Sequence, residues 1–596
     1  MKVSDYIANF LKNKGVDLVF AITGSGSIRL IESADQAGID YVCPHHEQAG
    51  IMAGLTRMRL TGNPAVMMVT GGPGASNTVI GIADAHLDSL PLFVIAGQEN
   101  SEYIFPKNEM RGKGVQGLEM VDITRTISKF GACLENPKDI RKILEQAYYE
   151  AYSGRPGPVW IEVPQNLQWA QVEHDEMEGF NPPPVVKQSM IESAKQTVEL
   201  IKQSSRPLIW VGNGIRLSGA VDKFRQVFDK LGIPALVSWN GADIITDEHD
   251  LFAGRAGTYG QRFGNLALQN CDLLITLGTR LALPQRGYRD DLFARAAKKV
   301  IVEIDPVEME KFKFDIDVPV LGDVADFIDA LDAVEYESTN QFDEWLAKIK
   351  HWQTKYPMAK PPVDENTIGI NSYWFIERLS EHLDKDTIIV TDMGTSLTCT
   401  HAAIKLKEGQ RILTSTGLGE MGFGLPGAIG AALGANGKKV VFIGGEGSLM
   451  MNLQEFQTVK HLGLDIKMFL LNNDGYLTIK HTHNALYKSN GNAAACSPST
   501  GVTFPDFGKL AFAFGFDFTR ISTAGDLDQW IQGVLKHEGT IVAELTMPEF
   551  QELIPKSAVK TRPDGSVYSS PLEDMYPFLP TEELEAEMII PTIKDI

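Results

Sequence analysis

The sequence contains no uninterrupted apolar run of the roughly 20 residues that a transmembrane helix needs, which argues against a helical membrane span. Cysteine is scarce. The five residues (Cys43, Cys133, Cys271, Cys399, Cys496) are odd in number and scattered without metal-ligand spacing, which argues against a disulfide framework or a zinc site. They fit the reduced thiols of a cytoplasmic protein. Positive charge is in deficit, with 55 Lys and Arg against 76 Asp and Glu and a net charge of −21. Such a balance disfavours nucleic acid and anionic membrane surfaces as partners, while an anionic small molecule needs only local positive charge. The opening MKVSDYIANFLKNKG reads as a charged amphipathic helix, with Ser4 as N-cap and Gly15 as stop, and not as a signal peptide. No residue-level repeat is visible, and 596 residues leave room for several domains.

What the chain has in abundance is short apolar runs alternating with helical patterns, the signature of α/β units with a parallel sheet covered on both faces. A first domain, 1–172, has strands over 18–22, 41–43, 64–69, 92–96 and 159–163, with glycine-rich loops at Thr23-Gly24-Ser25-Gly26 and Gly71-Gly72-Pro73-Gly74. An acidic, proline-containing linker covers 173–186. A second domain, 190–336, has strands over 208–211, 273–277 and 300–304. The loops at those strand ends could hold a dinucleotide or serve simply as turns. A charged connector around 336–362 leads to a third domain, 363–547. The proline-punctuated acidic tail, 548–596, is expected to fold over another surface.

The most informative stretch is 439–476. A strand over 440–443 runs into Gly444-Gly445-Glu446-Gly447-Ser448, and a helix over 448–462 carries Leu449, Leu453, Phe456 and Val459 on one face. Gly463 stops that helix, and a second strand over 466–471 ends in Asn472-Asn473-Asp474-Gly475. Such a crossover is right-handed and parallel, so both loops lie at the carboxyl edge of one sheet, where open α/β folds bind ligands. The Glu446 carboxylate, the Asn473 side-chain carbonyl and the Gly475 backbone carbonyl are hard donors of the kind Mg²⁺ or Ca²⁺ takes. Gly445 and Gly447 let the backbone approach a phosphate, and Ser448 opens the helix.

This pattern resembles the thiamine-diphosphate signature of the acetolactate synthase and pyruvate decarboxylase superfamily. The resemblance covers nearly the whole chain and implies three doubly wound parallel-sheet domains, pyrimidine-binding, central and diphosphate-binding in that order. It implies that Glu47, in His45-His46-Glu47-Gln48-Ala49, is the activating glutamate that hydrogen-bonds the aminopyrimidine ring and promotes deprotonation of the thiazolium carbon. On its own a Glu opening a helix is most simply a capping carboxylate. Gln116 matches a family active-site glutamine. Gly394, Thr395 and Ser396 resemble the first diphosphate loop, while Gly419 and Met421 match the segment that grips the pyrimidine. Gly24, Gly447, Ser448 and Tyr476 complete the cofactor set, with Glu446, Asn473 and Gly475 as metal ligands. In the second domain Gly212, Gly214, Gly257, Thr279, Arg280, Asp305 and Asp323 fall where acetolactate synthases hold FAD.

The activity implied is decarboxylation of a 2-keto acid, pyruvate foremost, with carboligation of the acyl unit to a carbonyl acceptor. In the family the site lies between subunits, so a homodimer is the minimum unit and tetramers are common. Two departures stand out. The family's metal-binding acid is usually Asp, and Glu446 is longer by a methylene, a large step against Mg–O distances of about 2.0–2.1 Å. The family's acetolactate synthases also carry a tryptophan soon after the Asn-Asn pair, and the segment Tyr476-Leu477-Thr478-Ile479-Lys480-His481-Thr482-His483 has none. That and the tail look more like the branch found with surface-polysaccharide genes, some of whose members transfer an acetyl unit from pyruvate to a keto sugar. Two other readings are a thiamine-diphosphate-dependent lyase or hydrolase acting on a ketone and, prompted by Glu446, a degenerate non-catalytic homologue. Lys480, His481 and His483 are candidates to meet substrate anions or simply residues of a solvated loop.

Overall fold

Most of the apolar runs become strands buried on both faces, as parallel sheets require, while the one at Asp40–Val42 is an edge strand with two exposed residues. The computed structural model describes residues 1–105, 107, 110–184, 189–487, 493–562 and 564–593, so 185–188 at the foot of the expected linker lie outside the described residues. The first sheet contains β1 (Leu18–Ala21), β2 (Asp40–Val42), β3 (Ala65–Val69), β4 (Leu92–Gln98), β5 (Phe130–Cys133) and β6 (Pro158–Pro164), in the order β2-β1-β3-β4-β6-β5. The second contains β7 (Pro207–Val211), β8 (Ala235–Val237), β9 (Phe252–Gly254), β10 (Leu273–Leu277), β11 (Lys298–Glu303) and β12 (Val318–Leu321), in the order β12-β11-β10-β7-β8-β9. The third contains β13 (Ile388–Thr391), β14 (Arg411–Leu413), β15 (Val440–Gly445), β16 (Ile466–Asn472), β17 (Asp517–Ile521) and β18 (Ile541–Thr546), in the order β14-β13-β15-β16-β18-β17. All three are parallel throughout, for example Ile388 beside Val440 and Val440 beside Ile466.

The first and third sheets thus repeat one strand order, whereas the second has the order of a dinucleotide-binding fold. Ligands of open α/β sheets bind where the strand order reverses. Those reversals fall between β1 and β3, between β7 and β10, and between β13 and β15. The loops singled out by their glycines stand at these places.

One apolar core joins the first and third domains, bringing Ile51, Met52 and Leu55 together with Leu425, Ala428 and Ile429. The Glu47–Thr61 helix lies against the Gly424–Gly434 helix there. A side chain on Gly430 would come within 1.9 Å of the Ala53 carbonyl oxygen, so glycine is what lets the two backbones close. None of the described helices is long and apolar enough to cross a membrane.

Four local expectations change. The first helix is Val3–Asn13 with Lys2 as N-cap, because Ser4 is buried and its hydroxyl accepts from Arg29 and Ser33. The helix expected over 448–462 is split into Glu446–Leu449, a 3₁₀ turn at Leu453–Glu455, and Phe456–Leu462. It breaks at Asn452, whose side chain donates to the Gly422 carbonyl (2.8 Å) and accepts from Gln48 (3.1 Å). The charged connector contains a helix, Asp343–Lys355, that buries Trp345, Ile349 and Trp352 and donates from Trp345 to the Pro207 carbonyl at 3.0 Å. Its i, i+4, i+7 apolar spacing was legible. The tail does lie over another surface, and it also contains an antiparallel pair, Val559–Thr561 with Val567–Ser569. Arg262 donates to the Pro577 carbonyl (2.6 Å), Gln269 to Glu573 (2.6 Å) and Trp352 to Glu587 (2.7 Å).

Candidate active site

The ends of β13, β15 and β16 bring most of the third-domain residues to one edge. Glu446 opens the turn after β15 and is 1% exposed. Its Oε1 accepts from the backbone amides of Asn473 (3.2 Å) and Gly475 (2.9 Å), so the longer side chain reaches across to the loop after β16. Burial pushes the Glu446 carboxyl up to about 7, against those amide hydrogen bonds. Asn473 is 5% exposed, and its Oδ1 is buried with no hydrogen-bond partner. An orphaned buried carbonyl costs free energy unless something pairs with it. Beside a buried carboxylate, it fits a hard cation with few protein ligands and the rest of its shell from water and phosphate. Among the described residues no group of three or more His, Cys, Asp or Glu side chains could hold a metal, so a cation here would rest on one carboxylate.

The surroundings of that loop are close. A Cβ on Gly475 would stand 2.3 Å from the Cys496 carbonyl, and one on Gly447 would stand 2.3 Å from the Tyr476 ring and 3.6 Å from Met421 Cε. Gly419 faces Met393 Cε, and Ser448 donates to the Met393 carbonyl at 3.3 Å. Gly394 opens the Thr395–Ala403 helix at φ +88°, and the Ser396 hydroxyl, fully buried, donates to the Asp392 carbonyl at 2.9 Å. Contacts therefore link Glu446 with Asn473 and Gly475, Gly447 with Tyr476 and Met421, and Gly419 with Ser448 through Met393, while Gly394 and Thr395 stand just after Met393. The Ser396 side chain already has its bond within its own turn.

Glu47, Gly24 and Gln116 gather at the edge of the first sheet. Glu47 is the first residue of its helix and is buried; Asn77 Nδ2 donates to its Oε2 at 3.0 Å, and a Cβ on Gly74 would lie 3.2 Å from Oε1. Gln116 is exposed, its amide donates to Glu99 (2.7 Å), and its carbonyl packs against Gly72 in the same loop. Gly24 packs on Thr70.

Between β7 and β10 lies a cleft of about 250 Å³ lined by Gly214, Gly257, Thr279, Arg280 and Asp323. Two expected members do not line it. Asp305 caps the Pro306–Glu310 helix, accepting from Val307 at 3.0 Å, and pairs with Arg155. Gly212 is pressed against the Gly278 carbonyl and supports the floor. Asn240 of the same domain, with Asp88 of the first domain and Thr416 and Gly417 of the third, completes the wall.

Lys480 and His481 tie the Leu477–Tyr487 helix to the tail: Lys480 donates to the Glu549 carbonyl (3.3 Å), and His481 Nε2 lies 2.7 Å from the Gln551 carbonyl. Burial lowers the His481 pKa, favouring the neutral ring.

Sequence reasoning missed the braces. Asp392, fully buried and pushed up to about 6 by burial, accepts from the amides of Met393 (2.8 Å) and Gly422 (3.0 Å). Glu455 accepts from the His45 amide at 2.9 Å, one residue before the N-cap of the Glu47 helix. No spacing rule pairs residues so far apart along the chain.

Three doubly wound sheets with glycine-rich loops at their switch points, the third carrying Glu446, together with the family matches that follow, define the class, a thiamine-diphosphate-dependent enzyme. Family models agree in three consecutive segments: the N-terminal TPP binding domain of thiamine pyrophosphate enzymes at 1–118, the central domain at 194–331 and the C-terminal TPP binding domain at 392–545. The chain is 32% identical to acetolactate synthase 2, chloroplastic, of Nicotiana tabacum over 569 residues, 93% of this chain and 83% of the relative. It is 30% identical to the acetolactate synthase isozyme 1 large subunit of Escherichia coli K12 over 553 residues, 93% of this chain and 95% of the relative. The isozyme 2 large subunit of the same organism is 28% identical over 561 residues. The chain belongs to the acetolactate synthase-like family of thiamine-pyrophosphate enzymes.

Proposed function

We propose that this enzyme decarboxylates a 2-keto acid, pyruvate foremost, and joins the acyl unit to a carbonyl acceptor. The observation that carries the reading is the orphaned Asn473 Oδ1 beside the buried Glu446 carboxylate, whose Oε1 accepts from the Asn473 and Gly475 amides. Glu446, Asn473 and the Gly475 carbonyl would hold Mg²⁺ or Ca²⁺, whose charge would offset that of a diphosphate. Gly394, Thr395, Gly447 and Ser448 would border the diphosphate, and Gly419, Met421 and Tyr476 the pyrimidine and thiazolium end. Thiamine diphosphate, when bound, supplies the electron sink for loss of CO₂. Glu47 would hold and return a proton at the aminopyrimidine ring, and Gln116 would border the substrate. The central cleft, at the switch point of a dinucleotide-type sheet, supports FAD as a second cofactor. The test is mass spectrometry of products from pyruvate with the Mg²⁺–thiamine diphosphate protein, with and without aldehydes and keto sugars. A coupled acyl product is expected. Release of CO₂ with only the free aldehyde in every mixture would overturn carboligation. A flavin band in the visible spectrum of the purified protein is expected as well.

Membership of a family whose site lies between subunits supports a cytoplasmic homodimer or tetramer, with Glu47 of one copy and Glu446 of another in each site. Light scattering at micromolar concentration is expected to give a dimer or larger; an active monomer would refute the split site.

A further inference from the structure

The segment from Ser415 to Met421 leads from β14 towards the Gly424–Gly434 helix and carries Gly419 and Met421. It is fastened to the first domain by carboxyl groups. Asp88 Oδ1 accepts from the Gly417 amide at 2.8 Å, while Arg59 donates to Asp88 Oδ2 at 2.7 Å. Deeper in, the Ser415 hydroxyl oxygen lies 2.8 Å from Asp84 Oδ1 and 2.6 Å from Glu420 Oε2. A serine hydroxyl has one hydrogen to donate. If it serves one carboxylate, the other carboxyl must keep its own proton and donate to the serine oxygen.

The charges around the pair point the same way. Asp84 and Asp88 come from the Val79–Leu87 helix and its C-cap, and Arg59 comes from the Glu47–Thr61 helix. Among the described residues Arg59 is the nearby cation that acts on Asp84, and it pairs with Asp88 (2.7 Å). Arg411 behind it donates to the Arg59 carbonyl and pairs with Asp243. Burial first, and then the neighbouring negative charge, raise both Asp84 and Glu420 above the ordinary carboxylate range, Glu420 the further.

We propose that Glu420 is a positioning residue whose protonated carboxyl, joined through Ser415 to Asp84, holds Gly419 and Met421 where the aminopyrimidine of thiamine diphosphate is gripped. This rests on the proposed assignment of Gly419 and Met421 to the cofactor. Because both carboxyls are raised in the folded protein, it binds more protons than the unfolded chain. The stabilisation is complete below the unfolded carboxylate range and is lost as pH climbs towards the folded value of Glu420.

The experiment is calorimetric titration of thiamine diphosphate into the protein at saturating Mg²⁺, from neutral pH to above about 9, the value to which Glu420 is pushed. Wild-type affinity is expected to fall by at least about tenfold, the equivalent of one pKa unit. Glu420→Gln, whose amide donates at every pH, is expected to change by less than about threefold. Groups elsewhere titrate in both proteins, so the difference isolates Glu420. Ser415→Ala, which cuts the link without altering charge, should at neutral pH already bind as weakly as the alkaline wild type. Parallel profiles for wild type and Glu420→Gln, a flat wild-type profile, or a wild-type-like Ser415→Ala would each overturn the proposal. A wild type that binds no thiamine diphosphate at any pH would overturn the cofactor reading itself, and this inference with it.

Discussion

Glu47→Gln is expected to lower turnover by about 10²–10⁴-fold, the usual span for a positioned acid-base group, while thiamine diphosphate remains bound. The substitution preserves shape. Asn77 Nδ2 can still donate to the remaining oxygen, and the helix start is set by His46, whose ring accepts from the Gln48 amide, so the backbone has no reason to move. The packing of the helix on the third domain is untouched, because it depends on Ile51, Met52 and Leu55. What disappears is the ability to take up and return a proton at a buried oxygen. Turnover from pyruvate, with cofactor occupancy measured separately by calorimetry, checks the expectation. Near wild-type rates would remove Glu47 from the proton relay.

Glu446→Ala is expected to abolish cofactor binding together with metal binding. Altering even an outer partner of a metal ligand costs about 10–100-fold in affinity, and loss of the sole carboxylate should exceed that. The alanine would also leave the Asn473 and Gly475 amides without the oxygen they donate to. Glu446→Asp is expected to bind Mg²⁺ as well as wild type or better, because the shorter arm suits octahedral geometry at about 2.0–2.1 Å. Metal stripped with chelator and returned as Mg²⁺ or Ca²⁺ in separate titrations distinguishes these outcomes. If the alanine variant holds thiamine diphosphate as tightly as wild type, Glu446 is no metal ligand and the degenerate reading gains.

The two residues differ in how far the sequence could reach them. Glu446 and Asn473 stand at the ends of consecutive strands of one crossover unit, so strand length and handedness suffice to bring them to the same edge. Glu47 stands at the head of a helix after a strand, a place as ordinary as a capping acid, and only its resemblance to a family motif marked it. Asp305 is at the expected strand end, where its carboxylate caps the following helix and pairs with Arg155, a residue of the cleft wall.

The sequence by itself determined the alternating α/β plan, the two turns that carry Glu446 and Asn473 and their common sheet edge. Those follow from strand and helix periodicity and from glycine and asparagine punctuation, which act over a few residues. The tertiary structure alone decided which carboxyls are buried and what braces the site. The Asp84–Ser415–Glu420 link, the Asp392 brace on Gly422 and the Glu455 bond to His45 join residues from separate domains or distant turns. Their chemistry depends on burial, and an acidic side chain reveals its solvation only when the surrounding chain has closed over it.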